Sequence, residues 1–513
     1  MKNKGKSDLL KFTGLMGLGG ILAKIFSIPH SIIFAKFLMP TGFGILQIFK
    51  TVVSYFGYVQ LGILQAMTRN IPKAYAAGDI TKVKKIKDLS FTWSFITLTL
   101  GIIVLWIFYY YNETLHNAIS FNNIILLTVL VILSKTNSFL KPLLKSEGEF
   151  IVIGKTTLYN STYSPLVGIF LVYFFGLNGA LFALILENLF LFVNTIFLYN
   201  KYKPKLFFQF KLFVEQISKG FLIFLYRFTE TSFSGIIYIL IGIYYSSATL
   251  GVFSLGLASL LSVYRYSASI RMYYYREIML TSNSEQKNNT FYIKLFKLPH
   301  IFNLFFNTIL LCLFALVYFA IINSFLPKYT ESIPVIYISV FGLTVYNART
   351  FCAQFLDATN NLVKLTIYIF IGVSTGVLLT YYFLINNFSI TYIALATGAA
   401  FTIMSSLIIV KAFFEVTNSI VRVLQTIISI YLISAFNTTF IYFCSLYNLF
   451  EIGIEISFLN IIKIISDLTI KVAIIFLLNY FIFSILFYKA SFRLEINKII
   501  LYLLKKIKIS KKK

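Results

Sequence analysis

The chain alternates between long apolar runs and short polar segments. Each apolar run is about 20 residues long, the length of helix that crosses a bilayer core of ~30 Å. A window of that length predicts fourteen membrane spans, near residues 12–35, 42–67, 89–111, 121–143, 151–175, 178–200, 219–246, 249–271, 299–325, 332–357, 364–386, 389–414, 421–447 and 466–488.

The loops between the predicted spans alternate in positive charge. Lysine and arginine are concentrated in segments 68–88, 141–145, 201–211 and 271–297 and in the C-terminal tail. The intervening loops have almost none, with Lys36 and Lys328 as exceptions. Because positive charge resists translocation, the basic set is predicted to be cytoplasmic. Both termini then lie in the cytoplasm, in agreement with an even number of spans.

The order of the spans predicts an all-α polytopic membrane protein built from two lobes. We expect an N-lobe of six helices (1–200), a cytoplasmic amphipathic linker (201–218) and a C-lobe of six helices (219–415) around a central cavity. Two further helices (416–488) and a basic cytoplasmic tail (489–513) follow. A faint repeat relates Thr41–Phe49, which opens the second span, to Ala248–Gly256, which opens the eighth, and it aligns Gly44 with Gly251.

Composition supports lipid as the solvent of this chain. Hydrophobic residues make up 58% of the 513 residues, charged residues only 12%, and the mean hydropathy is +0.82. A soluble protein this apolar could not cover its surface with polar groups. The net charge of +27 would suggest nucleic acid in a soluble protein. Here the basic residues lie between the apolar runs, so we interpret them as topology signals that contact anionic membrane lipids, and we expect no nucleic-acid partner.

No motif of catalysis or metal binding is present in the sequence. It contains no Walker A, GxSxG or HExxH pattern. Cys312, Cys352 and Cys444 lie far apart in apolar stretches, which predicts buried small hydrophobes. His30, beside Pro29, is interpreted as a packing or lumen residue. We therefore expect no catalytic residue, metal site or cofactor.

Charges inside the predicted spans are the best indication of a functional site. Each costs ~2.5–3.5 kcal/mol at the centre of a membrane helix, so it normally faces a cavity or a partner. The first two helices of each predicted lobe carry such charges within polar stripes, as a cavity between lobes requires. The candidate substrate-binding residues are Lys24, Lys50, Arg227, Glu230 and Arg265.

A structural interpretation of these charges stays open. Lys24 or Lys50 could extend to the membrane interface, and Arg227 with Glu230 could form a neutral structural pair. Weaker candidates are Glu187 in the sixth span, Lys135 in the fourth and Arg349 in the tenth.

Three short motifs, in order along the chain, carry a family resemblance. Pro40–Gly44 (PTGFG) follows the first span, Gln60–Gly62 (QLG) precedes Arg69 at the cytoplasmic end of the second, and Leu326–Tyr329 (LPKY) lies just outside the ninth. With this placement the chain resembles the oligosaccharide flippases of the MOP superfamily, the Wzx-like polysaccharide transporters, which are related to lipid II flippases. The resemblance covers roughly residues 12–415.

The resemblance implies a V-shaped, two-lobed transporter of the inner (plasma) membrane that works by alternating access and is not an enzyme. The implied substrate is an undecaprenyl-pyrophosphate-linked oligosaccharide, moved from the inner to the outer leaflet for surface polysaccharide of the O-antigen, lipopolysaccharide or capsule type. The polymerase and glycosyltransferases of the same pathway are the implied protein partners. Basic cavity residues of lipid II flippases lie in the first, second and eighth helices, where Lys24, Lys50 and Arg265 lie here.

Two departures from the family pattern leave alternatives open. Met39-Pro40 stands where members commonly have Leu-Gly before the turn, and Gln60 stands where an acidic residue is frequent. A MATE-like multidrug or cation antiporter of the same superfamily is the main alternative, although a net basic cavity disfavours cationic substrates. A polytopic O-antigen polymerase is a further alternative, but it would need a large outward loop that this chain lacks.

Overall fold

The computed structural model describes residues 30–111, 120–199, 202–264, 298–359, 361–417, 419–446, 476–480 and 482–483. These residues are almost entirely helical, and none of them lies in a strand. The helices are α1 His30–Phe56, α2 Ile63–Ala76, α3 Ile80–Tyr111, α4 Phe121–Glu147, α5 Phe150–Leu198, α6 Phe210–Tyr244, α7 Ser247–Tyr264, α8 Leu298–Phe325, α9 Ser332–Ala358, α10 Leu362–Ile385, α11 Ile390–Thr417 and α12 Ile420–Leu446.

Many of these helices are suited to lipid. Within the described ranges, nine are long and apolar enough to cross a membrane. On α3, the large apolar side chains Leu100, Val104, Ile107 and Phe108 are 52–64% exposed, a surface that only lipid would cover favourably. The all-α polytopic fold is therefore confirmed. The count of fourteen spans and the two-lobed arrangement around a cavity stay predictions.

The chain separates into two compact units, Met1–Ser254 and Leu255–Lys513. In the first unit, buried apolar side chains of α2 to α6 form one cluster. Its members include Met67, Ile86, Leu143, Ile153 and Leu212. In the second unit, Cys312 and Cys352 are buried and neither forms a disulfide within the described residues, as predicted for small hydrophobes. The predicted basic tail and the side chain of Cys444 lie outside the described residues.

Two breaks inside long helices coincide with predicted boundaries between spans. Met39, with a φ of 57°, precedes Pro40 within α1. Such a φ is uncommon for a side chain of this size. This is where the first predicted span gives way to the second. Gly176, with a φ of 54°, interrupts α5 between the fifth and sixth predicted spans. The apolar pattern therefore located both breaks, although helical hydrogen bonding continues on either side of them.

The second span differs from the single helix predicted over 42–67. Helix α1 ends at Phe56, residues 57–62 form turns, and α2 begins at Ile63. Leu61 and Gly62 have φ values of 53° and 90°, so both residues adopt the left-handed backbone conformation. A Cβ on Gly62 would lie 2.5 Å from the carbonyl carbon of Gly220 on α6, so the two backbones pack without side chains between them. The sequence window missed this break because the residues across it are still apolar.

The segment predicted as a cytoplasmic amphipathic linker over 201–218 is partly helical in its described residues, and its position at the membrane stays a prediction. Residues 202–209 form neither helix nor strand, and the remainder forms the first turns of α6. The Tyr202 hydroxyl donates to the Asp88 carboxylate on α3 at 2.8 Å, and the Phe207 amide donates to Thr92 Oγ1 at 2.8 Å. Burial and the Asp88 carboxylate raise the pKa of Tyr202 well above its usual value. The segment is therefore fixed on α3 by polar contacts.

The two glycines aligned by the internal repeat are in contact. A Cβ on Gly44 would lie 2.8 Å from the carbonyl carbon of Ser247, four residues before Gly251. Reciprocally, a Cβ on Gly251 would lie 2.8 Å from the carbonyl carbon of Pro40, four residues before Gly44. Helices α1 and α7 thus cross backbone against backbone, with the same local contact made from each side. Close crossings of this type stabilise helix association in lipid through van der Waals packing.

Candidate functional site

Three of the five predicted substrate-binding residues lie in the described part of the chain. Lys50 is on α1, and Arg227 and Glu230 are on α6, all within the first unit. Lys24 and Arg265 lie outside the described residues. The described part of the candidate site therefore consists of Lys50 and the groups of the first unit that surround it.

Lys50 is a half-buried cation within a membrane helix. Its ammonium is attracted by the Glu187 carboxylate on α5 and acts electrostatically on the His30 ring. Among the described residues no side chain or carbonyl is hydrogen-bonded to this ammonium. Tyr55, about one turn further along α1, donates its hydroxyl proton to the Ser232 carbonyl oxygen on α6 at 3.1 Å. Lys50 thus lies on a helix held against α6.

The Glu187 carboxylate, which attracts Lys50, is oriented by a hydrogen bond. The Asn160 side-chain amide donates to Glu187 Oε1 at 3.2 Å, joining the two halves of α5 on either side of the Gly176 break. His30 packs against Phe34 with ring centroids 4.0 Å apart. The sequence ranked Glu187 as a weaker candidate, because nothing in a single chain reveals that the sixth span faces the second. In the structure, the Glu187 carboxylate acts electrostatically on Lys50.

Lys135 has a structural role that the sequence did not indicate. Its side chain is 3% exposed, and its ammonium donates to the Phe56 carbonyl oxygen at 2.7 Å, where α1 ends. The Trp93 indole donates to the Gln60 carbonyl oxygen at 3.2 Å, and the Gln60 amide donates to Ser138 Oγ at 3.3 Å. In a membrane such irregular backbone must be satisfied by protein groups. Lys135 is therefore a cap for a broken helix.

Arg227 is exposed on α6, and its side chain contacts a neighbouring tyrosine. Its Nε donates to the Tyr226 hydroxyl at 3.0 Å, and its guanidinium carbon lies 5.7 Å from the centre of that ring. Its positive charge also acts on Lys145 of α4. Glu230 is half-buried one turn further along. The predicted neutral pair of Arg227 with Glu230 stays a prediction.

The remaining weaker candidate lies in the second unit. Arg349 is 4% exposed, and its guanidinium carbon lies 4.3 Å from the centre of the Tyr346 ring, a cation–π distance. This contact favours a packing role within α9. No group of three or more His, Cys, Asp or Glu side chains suited to a metal ion occurs in the part of the chain that the structure describes.

Comparison with known proteins decides the family. The profile of a family described as polysaccharide biosynthesis protein matches residues 33–298, more than half of the chain. The chain belongs to this family. No curated protein matches the chain in sequence. The resemblance to Wzx-like polysaccharide transporters inferred from the three motifs is confirmed.

Solved structures establish the fold. The lipid II flippase MurJ in an inward closed conformation is 17% identical, with a TM-score of 0.65 over 93% of this chain and 99% of that protein. A multidrug resistance MATE family transporter of the MOP superfamily, in an inward-facing conformation, is 12% identical, with a TM-score of 0.56 over 79% and 95%. A MOP superfamily transporter from Pyrococcus furiosus is 11% identical, with a TM-score of 0.55 over 80% and 95%.

These matches agree on one type of protein. The chain is a multi-pass membrane protein of the polysaccharide biosynthesis family with the fold of MOP superfamily transporters. The proteins it resembles in structure are transporters and a flippase rather than catalysts. Sequence identities as low as these show a shared fold but not a shared substrate. The substrate therefore has to be inferred from the residues of the candidate site.

Proposed function

We propose that this protein flips a lipid-linked oligosaccharide from the inner to the outer leaflet of the plasma membrane by alternating access. The substrate is a sugar repeat unit on a polyprenyl pyrophosphate, made for a surface polysaccharide. Its protein partners are the polymerase and glycosyltransferases of that pathway. Membership of the polysaccharide biosynthesis family supports this pathway. The likeness to a lipid II flippase supports a lipid-linked substrate over other cargo.

The proposal rests mainly on one observation, which is the positive charge of Lys50 inside a predicted span. Lys50 is a cation inside a span, and no described group is hydrogen-bonded to its ammonium. Maintaining a charge there costs ~2.5–3.5 kcal/mol, which suggests a role at that position. A pyrophosphate offers ionised oxygens that form strong charge-assisted hydrogen bonds with an ammonium. A cationic site fits this anionic head group and disfavours the cationic drugs of multidrug exporters.

Complementation of a deletion strain tests the proposal. Lys50→Ala should abolish the surface polysaccharide while the protein remains inserted, because the substitution removes a cost of insertion. Lys50→Arg should retain part of the activity, since a positive charge is kept. Lys36→Ala is the matched control, because Lys36 is an exposed lysine on the same helix. Membrane abundance is measured for each variant.

The outcomes of this experiment separate the candidate functions. Full complementation by Lys50→Ala would refute a cationic substrate site at this position. If the deletion leaves surface glycan intact but raises sensitivity to cationic dyes, the function is that of a MATE-like exporter. If it leaves polymer of altered chain length while single repeat units still reach the surface, the polymerase alternative is correct.

The proposed orientation places both termini and segment 68–88 in the cytoplasm, with 112–120 outside. Single cysteines in a background without other cysteines test this with an impermeant thiol reagent applied to intact cells. Asn117→Cys should be labelled, and Ala77→Cys should be labelled only after the membrane is permeabilised. The opposite pattern would reverse the orientation and the direction of transport.

A further inference from the structure

The first half of α6 packs closely against α2. A Cβ on Gly220 would lie 2.7 Å from the Gly62 carbonyl carbon and 3.3 Å from the Ala66 Cβ. Further along α2, the Asn70 side-chain amide donates to Gln216 Oε1 at 2.8 Å, and both Gln216 and Ala66 are fully buried. Small residues allow helices in a membrane to approach this closely. We name the contact formed by these five residues the α2–α6 seam.

The segment that leads into α6 is attached to α3. Besides the Tyr202 hydroxyl, the Lys205 backbone amide also donates to the Asp88 carboxylate, at 3.3 Å. In the first turn of α6, the Phe213 ring packs edge-on against the Trp93 ring of α3, with centroids 4.6 Å apart. Helix α6 is therefore held on α3 both before and after the residue at which it begins.

This attachment limits how far α6 can move away from α2 and α3. The Phe207 amide is hydrogen-bonded to Thr92, and α6 begins three residues later at Phe210. Three residues of fully extended chain reach at most ~11 Å. A wider opening would require breaking the Phe207 hydrogen bond or unwinding the first turn of α6. It would also separate the amides of Asn70 and Gln216, which is unfavourable for polar groups within a membrane.

Contacts continue from the seam toward the other end of the predicted spans. The Tyr55 hydroxyl donates to the Ser232 carbonyl oxygen, and a Cβ on Gly235 would lie 2.9 Å from the Tyr55 Cζ. Beyond them lies the backbone crossing of α1 and α7 at Gly44 and Gly251. Helices α1 and α2 thus contact α6 and α7 at three depths of the predicted spans, of which the α2–α6 seam is the predicted cytoplasmic one.

We propose that the α2–α6 seam stays closed throughout the transport cycle, so that α6 moves as one body with α1 to α5. The sequence assigned α6 to the C-lobe, but the whole helix belongs to the first compact unit, Met1–Ser254. Segment 202–209 is then a fixed attachment rather than a hinge between lobes. The cytoplasmic opening for the substrate lies elsewhere than between α2 and α6, a consequence that rests on the proposed function.

Cysteine accessibility tests the seam independently of any substrate. Single cysteines in a background without other cysteines are treated with a bulky maleimide in permeabilised cells, where both membrane faces are reached. Gln216→Cys should react at least about tenfold more slowly than Lys219→Cys, an exposed position one turn further along α6. Ala66→Cys, on the α2 side, should be protected equally and replaces Gln216→Cys if that variant does not insert. Labelling of either buried cysteine at the rate of Lys219→Cys would overturn the proposal.

Cross-linking across the seam tests the consequence for transport. A short bis-methanethiosulfonate reagent joins Asn70→Cys to Gln216→Cys, and transport of the host's radiolabelled lipid-linked repeat unit is measured in membrane vesicles by its protection from added periodate. The joined protein should transport at the rate of the untreated double variant, with the treated single variants as controls.

A second pair, Lys82→Cys with Glu215→Cys, joins α3 to α6 at exposed side chains whose Nζ and Oε1 atoms lie 3.8 Å apart. Loss of transport only in the joined proteins would overturn the proposal and make the seam a gate, while the proposed function would stand. If deletion of the gene leaves the surface polysaccharide intact, the proposed function fails, and cysteine accessibility still decides whether the seam opens.

Discussion

The crossing of α1 and α7 at Gly44 and Gly251 predicts a sharp difference between two glycine-to-alanine substitutions on one helix. In Gly44→Ala, the new Cβ would lie 2.8 Å from the Ser247 carbonyl carbon and closer still to its oxygen. Reaching an ordinary carbon–carbon contact of ~3.5 Å requires the helices to separate by at least roughly 0.7 Å. In Gly42→Ala, the nearest atom is Leu38 Cβ at 3.4 Å, so no movement is needed.

The expected magnitude follows from two opposing effects. Alanine is favoured over glycine in a helix by up to ~1 kcal/mol, and both variants gain this equally. Overpacking a close contact costs ~1–3 kcal/mol, and only Gly44→Ala incurs it. The free energy of unfolding of Gly44→Ala should therefore be lower than that of Gly42→Ala by ~1–3 kcal/mol. Comparing the two variants removes the helix propensity from the result.

The assay is a titration with SDS in mixed micelles, read by size-exclusion chromatography and tryptophan fluorescence. Gly251→Ala should behave like Gly44→Ala, because its Cβ meets the Pro40 carbonyl in the same way. The double variant should cost less than the sum of the two, since one separation of the helices relieves both clashes. Equal stability of Gly44→Ala and Gly42→Ala would refute the crossing, and strict additivity would refute the shared separation.

Two further substitutions test the contacts that hold irregular segments of the first unit. Lys135→Met keeps the length of the side chain but leaves the Phe56 carbonyl oxygen without its donor, so we expect a loss of ~1–3 kcal/mol of stability in the same titration; an unchanged midpoint would argue against the cap. Tyr202→Phe removes the hydroxyl that donates to the Asp88 carboxylate, and we expect a loss of ~1–3 kcal/mol together with faster proteolysis of segment 202–209. A protease pattern identical to that of the original protein would show that this hydrogen bond does not fix the segment.

The sequence was informative wherever hydrophobicity alone determines structure. Apolar runs of membrane-crossing length located the long helices, and the loss of apolar pattern located the breaks near Met39 and Gly176. The break at residues 57–62 was not predictable in this way. It depends on tertiary groups, the Lys135 ammonium and the Trp93 indole, which satisfy the freed backbone from other helices. Hydropathy detects lipid exposure but not which polar side chain a distant helix will offer.

The candidate site shows the same limit at the level of single lysines. Lys50 and Lys135 both lie in predicted spans, and the sequence ranked Lys50 higher because it lies deeper in its span and has polar neighbours at helical spacing. In the structure, the Lys135 ammonium donates its hydrogen bond to the Phe56 carbonyl oxygen. Lys50 has an electrostatic neighbour, Glu187, but no hydrogen-bonded one among the described residues. Whether a buried cation is structural or functional is thus decided by acceptors on other helices, which a single sequence does not reveal.

The role proposed for Lys50 also depends on which neighbouring groups act on its charge. Lys50 lies six residues before Phe56, or ~9 Å along α1, and the carbonyl end of that helix has a partial negative charge that attracts cations. Because Lys135 already binds the Phe56 carbonyl oxygen, the helix end does not compete for Lys50. The Glu187 carboxylate, which accepts a hydrogen bond from Asn160, attracts the Lys50 ammonium. If the proposed pyrophosphate substrate binds Lys50, it has to compete with this carboxylate, so the acid should lower the affinity for the bound substrate and favour its release.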